Sequence, residues 1–466
     1  MTRPFRYFAR RRRSAAHMVL LAAIAGVMSL PAPAQIAVRN QGYMPYSDAP
    51  INYRAETVSD PVTKLEQQLE RGEARLSWDD DQGYLKSVLT LLKVPEESQI
   101  LVFSKTSFQY PKISPEHPRA LYYNDDVYVG KVHEGKAIEL VSFDARQGAI
   151  FYLLDEHKLD KPVFQRAELD CTQCHIAAGT RGIPGVLVRS LYVSHSGTVV
   201  PASPSFITDQ DSPLAQRWGG WYVDGKTAAA SMANAVVPDG AAPVTDAGAR
   251  ALTLLDPEPY KASDYLRPGS DPVALLVLGH QTQMHNLITL TNYKTRIALY
   301  ALQKPATDGQ AEARVEDAPL PEATRRQFER PAEQLLRYLL FANEAPLTAL
   351  NAQDALQASA FAQQFAARGP RDSRGRSLRD FDLGTRIFRY PCSYLIYSDA
   401  FNALPQPALD YVYHRLLQVL SGQDQSEDFA QLTAPERQAV LEILLETKRD
   451  LPPEWLTYAR SNPTHH

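Results

Sequence analysis

The chain has 466 residues, 44% of them hydrophobic, and a formal net charge of −4. A chain of this length ordinarily forms one large domain or two to three ordinary ones, with enough apolar residues for a sizeable core. Because the net charge is negative, composition gives no electrostatic reason to expect nucleic acid or an anionic membrane as a partner.

Residues 1–34 have the three parts of a secretory signal peptide. Arginines at positions 3, 6 and 10 to 13 precede an apolar run, Met18–Leu30, and Ala32-Pro33-Ala34 supplies the small residues of a cleavage site. General secretion fits better than twin-arginine export, and the run is short for an uncleaved anchor. We therefore expect a periplasmic or secreted protein with a mature net charge of −10 and no later membrane span.

Residues 35–270 are predicted to form a β-rich section. Short segments rich in β-branched and aromatic residues, bounded by turn residues, predict strands at Ile100–Phe103, Ala120–Val129, Ile138–Phe143, Gly148–Leu154 and Val186–Ser194. Asn124-Asp125-Asp126 lies within the second segment. We interpret it first as a strand-turn-strand, and as an alternative source of acid–base carboxylates.

The pentapeptide Cys171-Thr172-Gln173-Cys174-His175 is the attachment motif of a c-type haem. Two thiols one helical turn apart can each add to a haem vinyl group, and the adjacent imidazole becomes the proximal iron ligand. A structural zinc site usually needs two close pairs of ligands, and the sequence has no second pair of cysteines. A thioredoxin-like redox pair and a short disulfide are the other interpretations, and neither explains the histidine.

Arg217-Trp218-Gly219-Gly220-Trp221-Tyr222 joins a guanidinium to three aromatic rings around a glycine turn. We expect Arg217, Trp218 and Trp221 either to bind the haem, by holding its propionates or relaying electrons, or to form a hairpin that contributes aromatic residues to the core.

Residues 271–466 are predicted to form a helical section that packs on the haem site. Apolar residues recur every three and four positions across Val273–Leu302, Pro321–Ala342, Asn351–Ala367, Pro407–Leu420 and Ala434–Thr447. Thr433 and Glu436 form the pattern of a capping box before the last of these helices. The segments Pro305–Pro319 and Gly369–Ser377 are predicted loops. The fold class is therefore α+β.

A polar cluster interrupts the first of these helices and contains the candidate sixth iron ligands. His280 and Met284 are four residues apart and share one helix face, and His285 is turned away from them. Buried polar groups need partners, and the distal face of a haem would be one. Three arrangements stay open: Met284 as ligand, His280 as ligand, or an open distal site. The alternative is that the cluster faces solvent or is hydrogen-bonded in the core.

Cys392 is unpaired if Cys171 and Cys174 carry haem. Its apolar flanks favour a buried, inert thiol over a redox or metal-binding thiol.

The chain resembles an uncharacterised family of large exported bacterial c-type cytochromes with one haem. The similarity includes the haem motif and Phe103–Ser107, Pro118–Ala120, Asn124–Gly130, Arg217–Tyr222, His280–Thr289 and Tyr390–Ser398. The resemblance implies haem binding and electron transfer, with Cys171 and Cys174 as the thioether positions and His175 as axial ligand. It implies no particular substrate.

We expect a monohaem c-type cytochrome that exchanges electrons with a periplasmic donor or acceptor protein. A haem-dependent oxidoreductase or peroxidase acting on a small molecule is the alternative, with a distal side lined by groups such as His280, Asp125 or Arg119. A haem-based sensor is a third.

Overall fold

The computed structural model describes residues 44–225, 230–240, 252–255, 259–303, 319–347, 356–357 and 359–462. The predicted signal peptide and nearly all of the predicted loop Pro305–Pro319 lie outside these residues. The architecture is α+β, with a sheet-rich amino-terminal half and helices in the carboxy-terminal half. In the described part of the chain, no helix is both long enough and apolar enough to cross a membrane.

The main sheet has six antiparallel strands that follow one another in chain order. The strands are β1 Ile100–Val102, β2 Arg119–Tyr123, β3 Val127–Lys131, β4 Ala137–Asp144, β5 Gly148–Asp155 and β6 Phe164–Arg166. The predicted strand-turn-strand is confirmed, because Asn124 Oδ1 accepts hydrogen bonds from the amides of Asp126 and Val127 at 3.0 and 2.8 Å and closes the turn.

Four shorter strands form two small antiparallel sheets. They are β7 Arg189–Leu191 with β8 Ser205–Ile207, and β9 Ala235–Val236 with β10 Thr253–Leu254. The predicted strand Val186–Ser194 is therefore shorter than expected and does not belong to the main sheet.

One face of the main sheet is covered by two helices that precede it, α1 Pro61–Glu70 and α2 Leu85–Leu91. Asp60 begins α1 by accepting hydrogen bonds from the amides of Val62 and Thr63. Apolar residues of α1 and α2, such as Val62 and Val88, form one hydrophobic cluster with alternate residues of the strands, such as Tyr122. We call this side the helix-covered face.

The other face of the sheet shares a core with the helical half. Tyr123, Tyr128 and Phe151 belong to the same hydrophobic cluster as Val277 and Leu335. The helices are α3 Glu168–His175, α4 Pro272–Gln303, α5 Glu322–Leu339, α6 Ala360–Ala367, α7 Asp399–Asn402, α8 Gln406–Leu420, α9 Ala434–Thr447 and α10 Pro453–Ser461.

The 32-residue helix α4 is central to this core, and nearly all of its side chains up to Tyr293 are buried. The predicted helices that begin at Val273, Pro407 and Ala434 agree with α4, α8 and α9 to within one residue at each end. The described part of the predicted helix Asn351–Ala367 is chiefly α6.

Candidate functional site

The motif lies on α3, a short helix that directly follows edge strand β6. Cys171 and Cys174 are one turn apart; Cys171 is half-buried and packs against the shared core, and Cys174 is exposed. None of the three described cysteines takes part in a disulfide. Both motif thiols are thus presented from one turn of helix next to the sheet.

His175 is held by the loop that follows the motif. Its Nδ1 lies 2.8 Å from the carbonyl oxygen of Gly185, which can only accept, so Nδ1 carries the proton and Nε2 has the lone pair. The amide of Gly185 donates to the carbonyl of His175 at 3.0 Å, and Thr180 Oγ1 donates to the same carbonyl at 3.1 Å. Burial lowers the pKa of His175 and favours the neutral imidazole.

Helix α4 packs on the far side of this loop. Asn286 accepts from the amide of Val186 at 3.2 Å and donates to its carbonyl at 2.8 Å, and Gln283 donates to the carbonyl of Gly179 at 3.1 Å. A Cβ atom on Gly185 would lie 2.2 Å from Asn286 Oδ1, so this close approach requires glycine. The helix therefore supports His175 from the side of Nδ1.

One of the expected distal ligands on α4, His280, has other partners. His280 is fully buried, with Nδ1 2.6 Å from Gln210 Oε1 and Nε2 2.7 Å from Ser393 Oγ. Neither of its nitrogens is left for a metal in this arrangement. Met284 is fully buried on the same helix. The core alternative therefore describes His280 better, and the position of this helix over a haem face opposite His175 stays a prediction.

Next to His175, the sheet has a strip of half-buried apolar residues on the face that it shares with the helical half. Strand register aligns Leu121, Gly130, Glu139 and Leu153 in one row and places Val141 opposite Phe151 in the next. Cross-strand partners share a face. The ring of Phe151 lies 5.0 Å from that of His175. Leu121, Val141 and Leu153 are half-buried, whereas their chain neighbours on the helix-covered face are buried. We call Leu121, Val141 and Leu153 the apolar strip.

An ion pair borders the apolar strip. Arg119 Nη1 donates to Glu139 Oε2 at 2.7 Å, and Glu139 also accepts hydrogen bonds from Ser107 Oγ and Gln109 Nε2. The Nε atom of Arg119 is buried and has no hydrogen-bond partner among the described residues. Sequence reasoning named Arg119 as a distal group but missed Glu139; the signal was a single carboxylate inside the apolar segment 137–143.

Arg217 and Trp218 lie in the core. Arg217 is buried and donates to the carbonyls of Ser212 at 2.8 Å and Gln210 at 3.1 Å, and Trp218 is fully buried. These contacts favour the structural interpretation of the pair over propionate binding. Val102 pairs with Arg119 on one side and with Trp221 on the other. Strand register therefore places Trp221 in the same row as Arg119, on the sheet face that carries the apolar strip.

Two other predicted positions lie away from the motif. Asp125 is at the turn between β2 and β3, the opposite end of β2 from Arg119, and forms ion pairs with Arg379 and, at 3.6 Å, with Arg368. Cys392 is fully buried, and burial raises the pKa of its thiol well above the ordinary value. These features agree with a buried thiol rather than a reactive one.

A separate cavity of about 250 Å³ opens on the helix-covered side and is lined by residues that include Trp78, Tyr122, Lys131 and Glu156. Tyr122 belongs to the cluster formed with α1 and α2, so the sheet separates this cavity from His175. In the described part of the chain, no group of three or more His, Cys, Asp or Glu side chains could hold a metal ion.

Comparison with known proteins found no matching family model, no similar curated protein and no similar solved structure.

Proposed function

We propose that the chain is an exported c-type cytochrome that carries one haem, attached through Cys171 and Cys174 with His175 as axial ligand, and transfers electrons to or from a periplasmic protein. The observation that carries the proposal is the hydrogen bond from His175 Nδ1 to the Gly185 carbonyl, made by a histidine that directly follows two thiols one helical turn apart. A hydrogen bond from the ring nitrogen that does not bind the metal is characteristic of metal-ligating histidines, because it fixes the tautomer that leaves Nε2 for the metal.

The residues around the motif fit the chemistry of a haem. The two thiols could hold the ring covalently, and the apolar strip could cover part of its hydrophobic surface and exclude water. When bound, the haem supplies a one-electron redox centre. The protein's contribution would be to keep His175 neutral and oriented through Gly185, and to hold that loop against α4 through Asn286.

The exposure of the motif favours an electron-transfer protein over an enzyme with a closed catalytic pocket. Cys174 and its neighbour Gln173 are exposed, and the strip beside them is half-buried. A cofactor attached here would have an edge near the protein surface, where a partner protein can approach it. The export signal and the acidic mature chain suit a periplasmic partner with a basic surface.

The test is the haem content of the protein, produced in a bacterium with c-type haem attachment machinery. We expect a pyridine haemochrome assay to give one covalent haem per chain, and Cys174→Ser to reduce its covalent retention. Gln173→Ser, an exposed change in the same helix, and Cys392→Ser, a thiol outside the motif, are the controls and should keep the haem. A wild-type protein without haem, or with two per chain, would contradict the proposal.

A further inference from the structure

The cavity on the helix-covered side is lined by parts of the chain that do not contain the haem motif. One wall is the main sheet, where Ala120 of β2 pairs with Lys131 of β3, and other walls include the rings of Trp78 and Tyr265. Its volume, about 250 Å³, is below the range of about 300–1,000 Å³ that is typical of pockets for drug-sized ligands. The cavity therefore suits a small molecule.

A well-ordered turn brings Trp78 and two carboxylates to the cavity. The amides of Asp79 and Gly83 each donate to the other residue's carbonyl at 2.8 Å, and Asp79 Oδ1 accepts from the amide of Asp81 at 3.1 Å. The turn packs closely against the end of β5, because a Cβ atom on Gly83 would lie 3.1 Å from Glu156 Oε1 and 3.6 Å from the Trp78 ring. A site that is held in place before its ligand arrives loses less conformational entropy on binding.

Aromatic rings supply part of the cavity wall. The Trp78 ring lies edge-on to that of Tyr84, with 5.0 Å between ring centroids, and is half-buried. Tyr265 is fixed by its hydroxyl, which donates to the carbonyl of Pro118 at 2.9 Å. The face of an aromatic ring attracts cations, and tryptophan does so most strongly.

The charged residues that line the cavity are mostly acidic. The carboxylates are Asp80, Asp81, Glu134, Glu156 and Asp264, and the basic side chains are Lys131 and His133. Lys131 is already paired with Glu156, and Glu134 and Asp264 pair with lysines outside the lining. Asp80 and Asp81 are exposed and form no ion pair in the described part of the chain. The local potential therefore favours a positively charged ligand.

The carboxylate of Glu156 gives the same sign. Both of its oxygens contact Lys131 Nζ, and its side chain is only 6% exposed. Burial raises the pKa of Glu156 even though the neighbouring Lys131 lowers it, so one ammonium group does not fully offset the loss of water around the carboxylate. A second positive charge in the cavity would stabilise its ionised form.

We propose that this cavity binds a small organic cation, such as an alkylammonium ion, with its charge against the Trp78 ring and close to Asp80 and Asp81. The aromatic walls favour an organic cation over an inorganic one, because they offer the alkyl groups an apolar surface and the charge a ring face. The inference goes beyond the proposed electron transfer and does not depend on haem attachment.

The first experiment is isothermal titration calorimetry of the full-length protein with choline and with butylammonium. Each cation is compared with a neutral alcohol of the same shape. We expect at least one of the cations to saturate a single site, its neutral counterpart to bind at least tenfold more weakly, and added salt to weaken the binding of the cation. Equal affinity for the cation and its neutral counterpart would overturn the charge assignment. Binding of neither cation would overturn the inference and leave the haem attachment untouched.

The second experiment assigns the side chains with the cation that binds more tightly. Trp78→Leu keeps an apolar side chain but removes the ring face, so it should weaken binding by about two- to fivefold. Asp80→Asn combined with Asp81→Asn should weaken binding by about threefold or more and reduce its dependence on salt. Glu70→Gln is the control, because Glu70 is an exposed carboxylate on α1 outside the cavity lining, and it should leave the affinity unchanged.

The aspartate variants separate ligand binding from damage to the fold, because both side chains are exposed and their replacement should leave the midpoint of thermal unfolding without ligand unchanged. Wild-type affinity in both the tryptophan and the aspartate variants would refute the site. A loss of affinity in Trp78→Leu alone would refute the role of the two carboxylates. An equal loss in Glu70→Gln and the aspartate variant would show a general effect of net charge and would also refute it.

Discussion

Asn286 is expected to determine the local stability of the loop that holds His175. Its side chain makes two hydrogen bonds to the backbone of Val186, accepting from the amide at 3.2 Å and donating to the carbonyl at 2.8 Å. Asn286→Ala removes the side-chain amide that bonds both groups, so the amide and the carbonyl of Val186 are left buried and unsatisfied. Each such group costs about 1–3 kcal/mol, and water entering the vacated space reduces the sum to about 2–4 kcal/mol.

The measurement is amide hydrogen exchange followed by mass spectrometry on peptides that contain Val186. If the loop opens locally, a loss of about 2 kcal/mol accelerates exchange at Val186 by about 30-fold. Asn292→Ala is the matched control, because Asn292 is a buried asparagine on the same helix that donates to Ala403, at 3.3 Å, instead of to the loop. It should leave exchange at Val186 unchanged.

Two outcomes would refute this reasoning. Unchanged exchange at Val186 in Asn286→Ala would mean that the loop is held without α4. Equal acceleration in Asn286→Ala and Asn292→Ala would mean that the loss is general to the helix and not specific to the contact.

Two further predictions concern stability. Burial raises the pKa of Asp126 to about 6. The folded chain therefore binds the proton of this carboxyl group more tightly than the unfolded chain does. The stability that comes from the protonated carboxyl group is lost as pH rises from about 4 through 6. Asp126→Asn should therefore raise the midpoint of thermal unfolding at pH 7.5 and change it little at pH 4; an equal shift at both pH values would count against burial as the cause. Thr433→Ala should lower the free energy of unfolding, measured by urea denaturation, by about 1 kcal/mol, because the Thr433 hydroxyl caps α9 at the amide of Glu436. Thr457→Ala should lower it less, because the Thr457 hydroxyl donates to the carbonyl of Pro453 within α10.

The elements that sequence predicted best are those whose signal is local. The capping box of Thr433 and Glu436 is confirmed, and the spacing of apolar residues located α4 to within one residue at each end. Local patterns set where a helix begins and which side chains share a face. Sequence analysis predicted no helix in residues 44–99, so α1 and α2, which cover one face of the sheet, were missed.

The polar cluster on α4 shows where local information ends. The described structure gives hydrogen bonds to His280, Gln283 and Asn286, as buried polar groups require, whereas His285 Nδ1 is buried without a described partner. Which partners they have depends on chain segments far away: Gln210 and Ser393 for His280, and Val186 for Asn286. Spacing along one helix contains no information about those segments, so the sequence could not distinguish a haem face from partners in the core.

Glu139 is a similar case on the sheet. Its carboxylate is visible in the sequence as a charge inside an apolar strand, but register decides what it faces. A shift of one residue between β3, β4 and β5 would move Glu139 to the helix-covered face and bring Leu140 toward Arg119. The ion pair could therefore be recognised only after the pairing of Gly130, Glu139 and Leu153 was known.

The position of α4 gives a physical reason for a chain much larger than an electron carrier needs. The helix supplies the wall against which the Gly185 loop is fixed, through Asn286 and Gln283, and its other side is packed among α5, α6 and α8. Under the proposed function, the helical half would therefore act on the iron through the orientation of His175 and not by ligation. Substitutions such as His280→Leu would then change stability, since both ring nitrogens have partners, and leave the spin state of the ferric iron as it is. A change of spin state in that variant, with the fold intact, would return His280 to the set of ligands.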